Sequence, residues 1–133
     1  MRLPGSVMTG RMIVHMLTRE DFLKPSPPTV VRCDVPEMGG HVFCRSLTSR
    51  ERSLFDRSFV TAKGSPNLKR QAELRERMLL ACVCNESGEL LFREGDLEAI
   101  SRQPAAVIER IVEVCQPLCG LASDADLEKK SID

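Results

Sequence analysis

The stretch DVPEMGGHVFCRSLTSRERSLFD, residues 34–56, decides the fold because it contains a strand end, a turn, a second strand and a helix start. On both sides of PEMGG, apolar and polar side chains alternate, as they do in half-buried strands. Gly39 and Gly40 supply the positive φ angles that tight turns demand. The stretch therefore predicts a β-hairpin over about 30–47 that leads into a helix.

The position of the turn sets the predicted pairing of the two strands. A turn centred on Met38 and Gly39 places Cys33 opposite Cys44 and gives the hairpin one apolar face. A two-stranded sheet is too small to be stable without a covering partner, and its open edges can pair with another chain. We therefore expect helices to cover the hairpin and the protein to form a homo-oligomer through the hairpin or the helix faces.

Helix signals flank the hairpin on both sides. Thr48 and Glu51 have the spacing of a capping box, and Thr18 and Asp21 have the same spacing before a short upstream helix. Further start and stop signals, such as Ser65 followed by Pro66, divide the rest of the chain. The main helices are predicted over about 49–61, 66–83, 96–102 and 105–116. The predicted fold is α+β, mainly α, with an N-terminal β-hairpin packed on a small bundle of about four helices.

Length and composition predict one globular domain, over residues 17–121, because the chain has 133 residues, 42% hydrophobic and 29% charged. Residues 1–16 are predicted to be a flexible extension, and 122–133 a polar tail. The extension holds four possible initiator methionines, Met1, Met8, Met12 and Met16. No apolar stretch reaches the roughly 18 residues of a spanning helix, or the core of a signal peptide. We expect a cytoplasmic protein with no membrane partner.

The composition also argues against several functional classes. Nineteen basic residues balance nineteen acidic ones, so no net positive field attracts nucleic acid, and the absence of Trp and Tyr argues against base stacking. The sequence lacks the phosphate-cradling, dinucleotide, serine-hydrolase and zincin motifs. Its two histidines leave little material for acid–base catalysis. We expect a protein that is not an enzyme, with no cofactor and no nucleic-acid partner.

Six cysteines form the least common feature of the composition: Cys33, Cys44, Cys82, Cys84, Cys115 and Cys119. Combined with His15 or His41, the last four could form a zinc site, but neither of their intervals is C-x2-C. The favoured interpretation is six reduced thiols that act as small buried hydrophobes, with no metal. The alternative is a small Cys-rich, metal- or thiol-dependent regulatory or interaction module using Cys82, Cys84, Cys115 and Cys119.

An apolar run over residues 78–83 covers more than one face of the predicted long helix. This is more apolar surface than a core this small requires, which suggests an open stripe for a partner. The candidate partner-binding residues are Leu74, Met78, Leu79, Ile108 and Ile111. The alternative is that these residues fill the core, as apolar helix positions usually do.

Several short motifs occur in an order that resembles a known family. They are LTREDFL (17–23), VPEMGG (35–40), LTSRERSLFD (47–56), LLACVCNESGELLFREGDLEAI (79–100) and LASDADLEKK (121–130). Together they resemble the tail assembly chaperones of long-tailed, siphovirus-like phages and prophages. The resemblance covers residues 17–130, and Met38 stands where the family often has Trp.

The resemblance implies a non-enzymatic role in virion assembly. Members of this family bind the long tape-measure protein and the tail-tube subunit, keep them soluble, and are absent from the finished virion. If this chain shares that role, it acts in the cytoplasm of a bacterial host or lysogen. Its partners are then the tape-measure and tail-tube proteins.

Overall fold

The structure is a computed structural model that describes residues 14–120. Within this range the chain forms three strands: β1 (Val30–Val35), β2 (Gly40–Arg45) and β3 (Val83–Cys84). It also forms six α-helices: α1 (Arg19–Leu23), α2 (Ser49–Arg57), α3 (Leu68–Ala72), α4 (Leu74–Cys82), α5 (Leu97–Ser101) and α6 (Ala105–Leu118). The predicted mainly helical α+β class is confirmed. Most of the predicted extension and the whole predicted tail lie outside the described residues.

The hairpin forms as predicted, but with a different register. Pro36–Met38 form a 3-10 turn, and Gly39 follows with a φ of 70° and donates its N–H to the Pro36 carbonyl over 3.0 Å. This moves the centre of the turn one residue toward the N-terminus, so Cys44 pairs with Val31, and the predicted pairing of Cys33 with Cys44 is wrong. Because the cross-strand partner of each residue shifts by two positions, each side chain stays on its predicted face of the sheet.

The long helix predicted over 66–83 is replaced by two shorter helices and a strand. Glu73 separates α3 from α4 with a φ of −99° and a ψ of 13°. Val83 and Cys84 are extended and pair with β2, which gives an antiparallel sheet in the order β1-β2-β3. The prediction of a two-stranded hairpin on four helices is therefore corrected to a three-stranded sheet with six helices in the described range. Self-association through the hairpin stays a prediction.

Both predicted capping boxes are present. The Thr48 hydroxyl accepts the Glu51 N–H over 3.1 Å, and the Glu51 carboxylate accepts the Thr48 N–H over 2.9 Å. Thr18 and Asp21 exchange the same pair of hydrogen bonds at the start of α1. These bonds satisfy amide groups that the first helical turn leaves without partners. The start predicted at Ser65 lies instead at Asn67, whose side chain accepts the Arg70 N–H.

The core lies between α4, α6 and one face of the sheet. The apolar run over 78–83 crosses this space, so its residues contact α6 on one side and the sheet on the other. The buried apolar residues of the core are Cys33, Val35, Cys44, Met78, Leu79, Cys82, Val83, Ile100, Val107, Ile108, Ile111, Val112, Cys115 and Cys119. No helix between residues 14 and 120 has the length and apolar character needed to cross a membrane.

Candidate interaction groove

A groove of about 280 Å3 opens between the hairpin turn, α4, α5 and the N-terminal half of α6. Its lining is apolar except for Asp96 and Gln103, and consists of Met38, Leu79, Phe92, Asp96, Ala99, Ile100, Gln103, Val107, Ile108 and Ile111. We call this surface the apolar groove. Met38 stands on its rim with 61% of its surface exposed. The PEMGG turn is therefore both a structural turn and the edge of a groove.

The floor of the groove comes mainly from the first turns of α6. Pro104 ends the preceding segment, and its carbonyl accepts the N–H groups of Val107 and Ile108, which starts the helix. Val107, Ile108 and Ile111 then follow at i, i+1 and i+4, so their side chains share one face. Leu79 of α4 closes the floor, with 2% of its surface exposed.

An ion pair fixes the turn against α6. The guanidinium of Arg110 donates two hydrogen bonds to different oxygens of Glu37, Nε to Oε1 over 3.0 Å and Nη2 to Oε2 over 2.7 Å. The hydrogen bond from Arg110 lowers the pKa of Glu37 below its ordinary value, and the pKa of Arg110 is raised by the same contact. Exposed pairs contribute little stability, but this bidentate geometry sets where the Met38 rim stands.

The carboxylates near the other end of the groove are also hydrogen bonded. Asp96 accepts the backbone N–H of Arg93 over 2.8 Å. Arg77 donates two hydrogen bonds to Glu94, over 3.1 and 3.0 Å, and these lower the pKa of Glu94. The carboxylates near the groove are thus engaged in hydrogen bonds, and most of the groove lining offers apolar contact.

The structure brings together three of the five predicted partner-binding residues. Leu79, Ile108 and Ile111 line the groove, although at most 6% of each is exposed. Leu74 lies outside the groove lining, with 43% of its surface exposed. Met78 is 1% exposed and belongs to the core. A role in partner binding stays a prediction for all five, and Met78 presents almost no surface for it.

Sequence reasoning missed several groove residues. Met38 carried one usable signal, because it is an apolar side chain placed in a turn where polar residues are common. Phe92, Ala99, Ile100 and Val107 carried none, since only the packing of their elements brings them to the groove. Their position there could not be inferred from sequence spacing.

Four thiols meet behind the groove, where α4, α6 and β2 come together. The Sγ atoms of Cys82 and Cys119 are 3.0 Å apart, and those of Cys115 and Cys44 are 3.6 Å apart. We call Cys44, Cys82, Cys115 and Cys119 the thiol cluster. The alternative drawn from sequence spacing placed Cys84 in such a group, but in the structure Cys44 occupies that place. All six cysteines are buried and free.

Hydrogen bonds within the thiol cluster separate the acidities of its members. Those from Cys115 and Cys119 lower the pKa of the Cys82 thiol to about 4. Hydrogen bonding within the cluster also raises the pKa of Cys115 and of Cys119 above the ordinary value. Outside the cluster, burial raises the pKa of Cys33 to about 11. Cys82 is thus the thiol of the cluster that ionises most readily.

Two sulfur atoms of the thiol cluster lie closer together than two ligands of one zinc ion do. Two sulfur ligands on one tetrahedral zinc ion lie roughly 3.8 Å apart, given zinc–sulfur bonds of about 2.3 Å. The distance of 3.0 Å between Cys82 and Cys119 is shorter than this. Within residues 14–120, no group of three or more His, Cys, Asp or Glu side chains is arranged to hold a metal ion.

Comparison with known proteins assigns no family to the chain. No family model matches it, and no curated protein or solved structure is significantly similar to it. The features that bear on its function are its motifs, the apolar groove and the thiol cluster.

Proposed function

We propose that this protein is a non-enzymatic tail assembly chaperone of a long-tailed phage or prophage, acting in the bacterial cytoplasm. Its partners are the tape-measure protein and the tail-tube subunits. The motif order described above supports this proposal. The observation that carries it is the position of the PEMGG turn, the most recognisable of these motifs, at the rim of an apolar groove.

The expected occupant of the apolar groove is an amphipathic helix of the tape-measure protein. A groove lined by Leu, Ile, Val, Phe and Met side chains suits the apolar face of a helix, which anchors through residues at i, i+3, i+4 and i+7. Met38 adds a flexible side chain that adapts to successive, non-identical helical segments. A groove of about 280 Å3 buries few side chains, which favours binding weak enough to be reversed when the tail assembles.

Co-expression with a tape-measure protein from the same genome tests this proposal. The Met38→Glu variant places a charge at the groove rim and should fold, because Met38 is 61% exposed. We expect the wild-type protein to increase the soluble fraction of the tape-measure protein several-fold, and Met38→Glu to lose most of that increase. Leu68→Glu is the matched control, since Leu68 is 76% exposed and lies outside the groove lining.

One outcome would contradict the proposed function, and another would contradict only the proposed binding surface. If the solubility of both the tape-measure and tail-tube proteins is the same with and without this protein, the chaperone function fails. If Leu74→Glu abolishes the effect while Met38→Glu keeps it, the chaperone function stands but the binding surface is the outer face of α4. The same result would favour partner binding at Leu74, as predicted from the sequence, over binding in the apolar groove.

The thiol cluster supports a second candidate, the thiol-dependent interaction module. Four buried thiols lie in contact where α4, α6 and β2 meet, which brings together groups that can be oxidised. This candidate is compatible with chaperone activity, since the thiol cluster and the apolar groove share α4 and α6. It is distinguished from the first by a dependence of binding on oxidation.

A further inference from the structure

Cys82 and Cys119 are the closest pair in the thiol cluster. Their Sγ atoms are 3.0 Å apart, about 1 Å more than the roughly 2.05 Å of a disulfide bond. Cys82 is the last residue of α4, and Cys119 caps the end of α6. Because the gap between the two sulfur atoms is only about 1 Å too long, rotation of the side chains can close most of it without moving the helix ends, one of which Arg52 holds through the Cys119 carbonyl.

The other contact in the cluster is less suited to bond formation. Cys44 and Cys115 are 3.6 Å apart. Cys44 lies in the central strand of the sheet, paired with β1 on one side and β3 on the other, and Cys115 lies within α6. Both backbones are fixed by regular hydrogen bonds, which oppose the larger movement that a Cys44–Cys115 bond requires.

We infer that Cys82 and Cys119 form a reversible disulfide when the protein meets a peroxide. Peroxides small enough to pass the packed end of α6 are the expected oxidants, because Cys119 is 5% exposed and Cys82 is fully buried. The pair would be a modification site that links the ends of the two helices behind the apolar groove. This inference does not depend on the chaperone proposal.

The reaction proceeds in two displacements. The Cys82 thiolate attacks one oxygen of hydrogen peroxide, breaks the O–O bond and forms a sulfenic acid, and the released hydroxide takes up a proton to become water. The sulfur of Cys119 then attacks the Cys82 sulfur, loses its proton and expels the second oxygen as water. In sum, two thiols and one hydrogen peroxide give one disulfide and two waters. The lowered pKa of Cys82 makes it the first nucleophile.

Peptide mapping of the native protein tests the inference directly. After treatment with hydrogen peroxide, free thiols are alkylated in denaturant and the chain is cut with trypsin. Cys82 then lies in peptide 78–93, and Cys119 lies in peptide 111–129. We expect a linked pair of these two peptides that dithiothreitol separates, with fragmentation placing the bond between Cys82 and Cys119. The melting temperature should rise on oxidation, because the bond closes a long loop in the unfolded chain.

Two variants, each with one cysteine replaced, make the mapping more specific. Cys119→Ala should abolish both the linked peptides and the rise in melting temperature. Cys84→Ala is the matched control, because Cys84 is also buried and lies in the same tryptic peptide as Cys82, and it should keep both effects. If Cys119→Ala does not fold, the fragmentation map of the wild-type protein decides the matter alone.

Three results would overturn the inference. The first is a peroxide-treated protein in which all six thiols can still be alkylated. The second is a bond that joins peptide 33–45, which carries Cys33 and Cys44, to either of the other two. The third is stoichiometric zinc in the purified protein, because thiolates bound to zinc are held for coordination and not for disulfide formation.

Discussion

The two halves of α6 face the same core but end in different surroundings. In the first half, Val107, Ile108 and Ile111 line a groove that reaches solvent. In the second half Cys115, and at the C-terminal cap Cys119, contact other thiols and line no groove. The end of this half is also fastened to α2, because Arg52 donates a hydrogen bond to the Cys119 carbonyl over 2.7 Å.

Side-chain size accounts for this difference. Cysteine is small, so β2 and α4 approach the second half of α6 closely enough for sulfur atoms to touch. Beside the isoleucine and valine side chains of the first half, the short α5 and the hairpin turn leave the groove open. A helix whose apolar residues recur at regular spacing can therefore be sealed at one end and open at the other.

The strongest test of the difference between enclosed and groove-lining positions removes side-chain volume at one of each, Met78 of α4 and Ile108 of α6. Met78→Ala should lower the free energy of unfolding by about 2–5 kcal/mol, because Met78 is enclosed and its loss leaves a cavity. Ile108→Ala should cost about 2 kcal/mol or less, since solvent and Met38 can occupy the space beside an open groove. Urea denaturation at neutral pH measures both values. An equal loss of unfolding free energy in the two variants, or a larger loss in Ile108→Ala, would contradict the difference between enclosed and groove-lining positions.

A smaller effect on stability is expected when the groove is filled. Ala99→Leu adds an apolar side chain at the groove wall and should change the free energy of unfolding by no more than about 0.5 kcal/mol. It should also reduce the fluorescence of an apolar dye that binds the native protein. Ala106→Leu, on an exposed position of α6 outside the groove lining, is the control and should leave dye binding unchanged. Unaltered dye binding in Ala99→Leu would place the open apolar surface elsewhere.

The smallest effect concerns the ion pair at the groove rim. The folded-state pKa of Glu37 lies below its ordinary value of 4.5. The ion pair therefore contributes its full stability above pH 4.5, and this stability is lost as the pH falls through the folded-state pKa. Glu37→Gln should therefore lower the melting temperature at neutral pH and have no effect in stronger acid. Glu86→Gln, at an exposed position of the turn that follows β3, controls for the loss of one charge. A difference that persists in acid would mean that the glutamine itself disturbs the turn.

Much of the fold could be predicted because its signals are local. The capping boxes at Thr18 and Thr48 depend on residues three positions apart, and the hairpin depends on alternation around one turn. Each signal is contained in a few consecutive residues. The mainly helical class followed from adding such segments together.

The errors have a common physical origin. No Gly or Pro marks the break at Glu73, and Val83 and Cys84 continue an apolar run that suits a helix or a strand equally well. Their conformation is decided by pairing with β2, about 40 residues earlier in the chain. The groove and the thiol cluster depend on the same long-range packing, which is why Met38 and Cys44 were missed.

The dominant share of α6 in the core has a consequence for synthesis on the ribosome. Of the helices described, α6 contributes the most buried residues, yet it is the last to be made. A hairpin forms in about 1–10 μs, whereas the stretch from β2 to the end of α6 takes roughly 4–15 s to translate. During those seconds the apolar face of the nascent hairpin has no cover. Arg32 and Asp34, which alternate with the buried residues of β1, then serve as charged gatekeepers against premature aggregation.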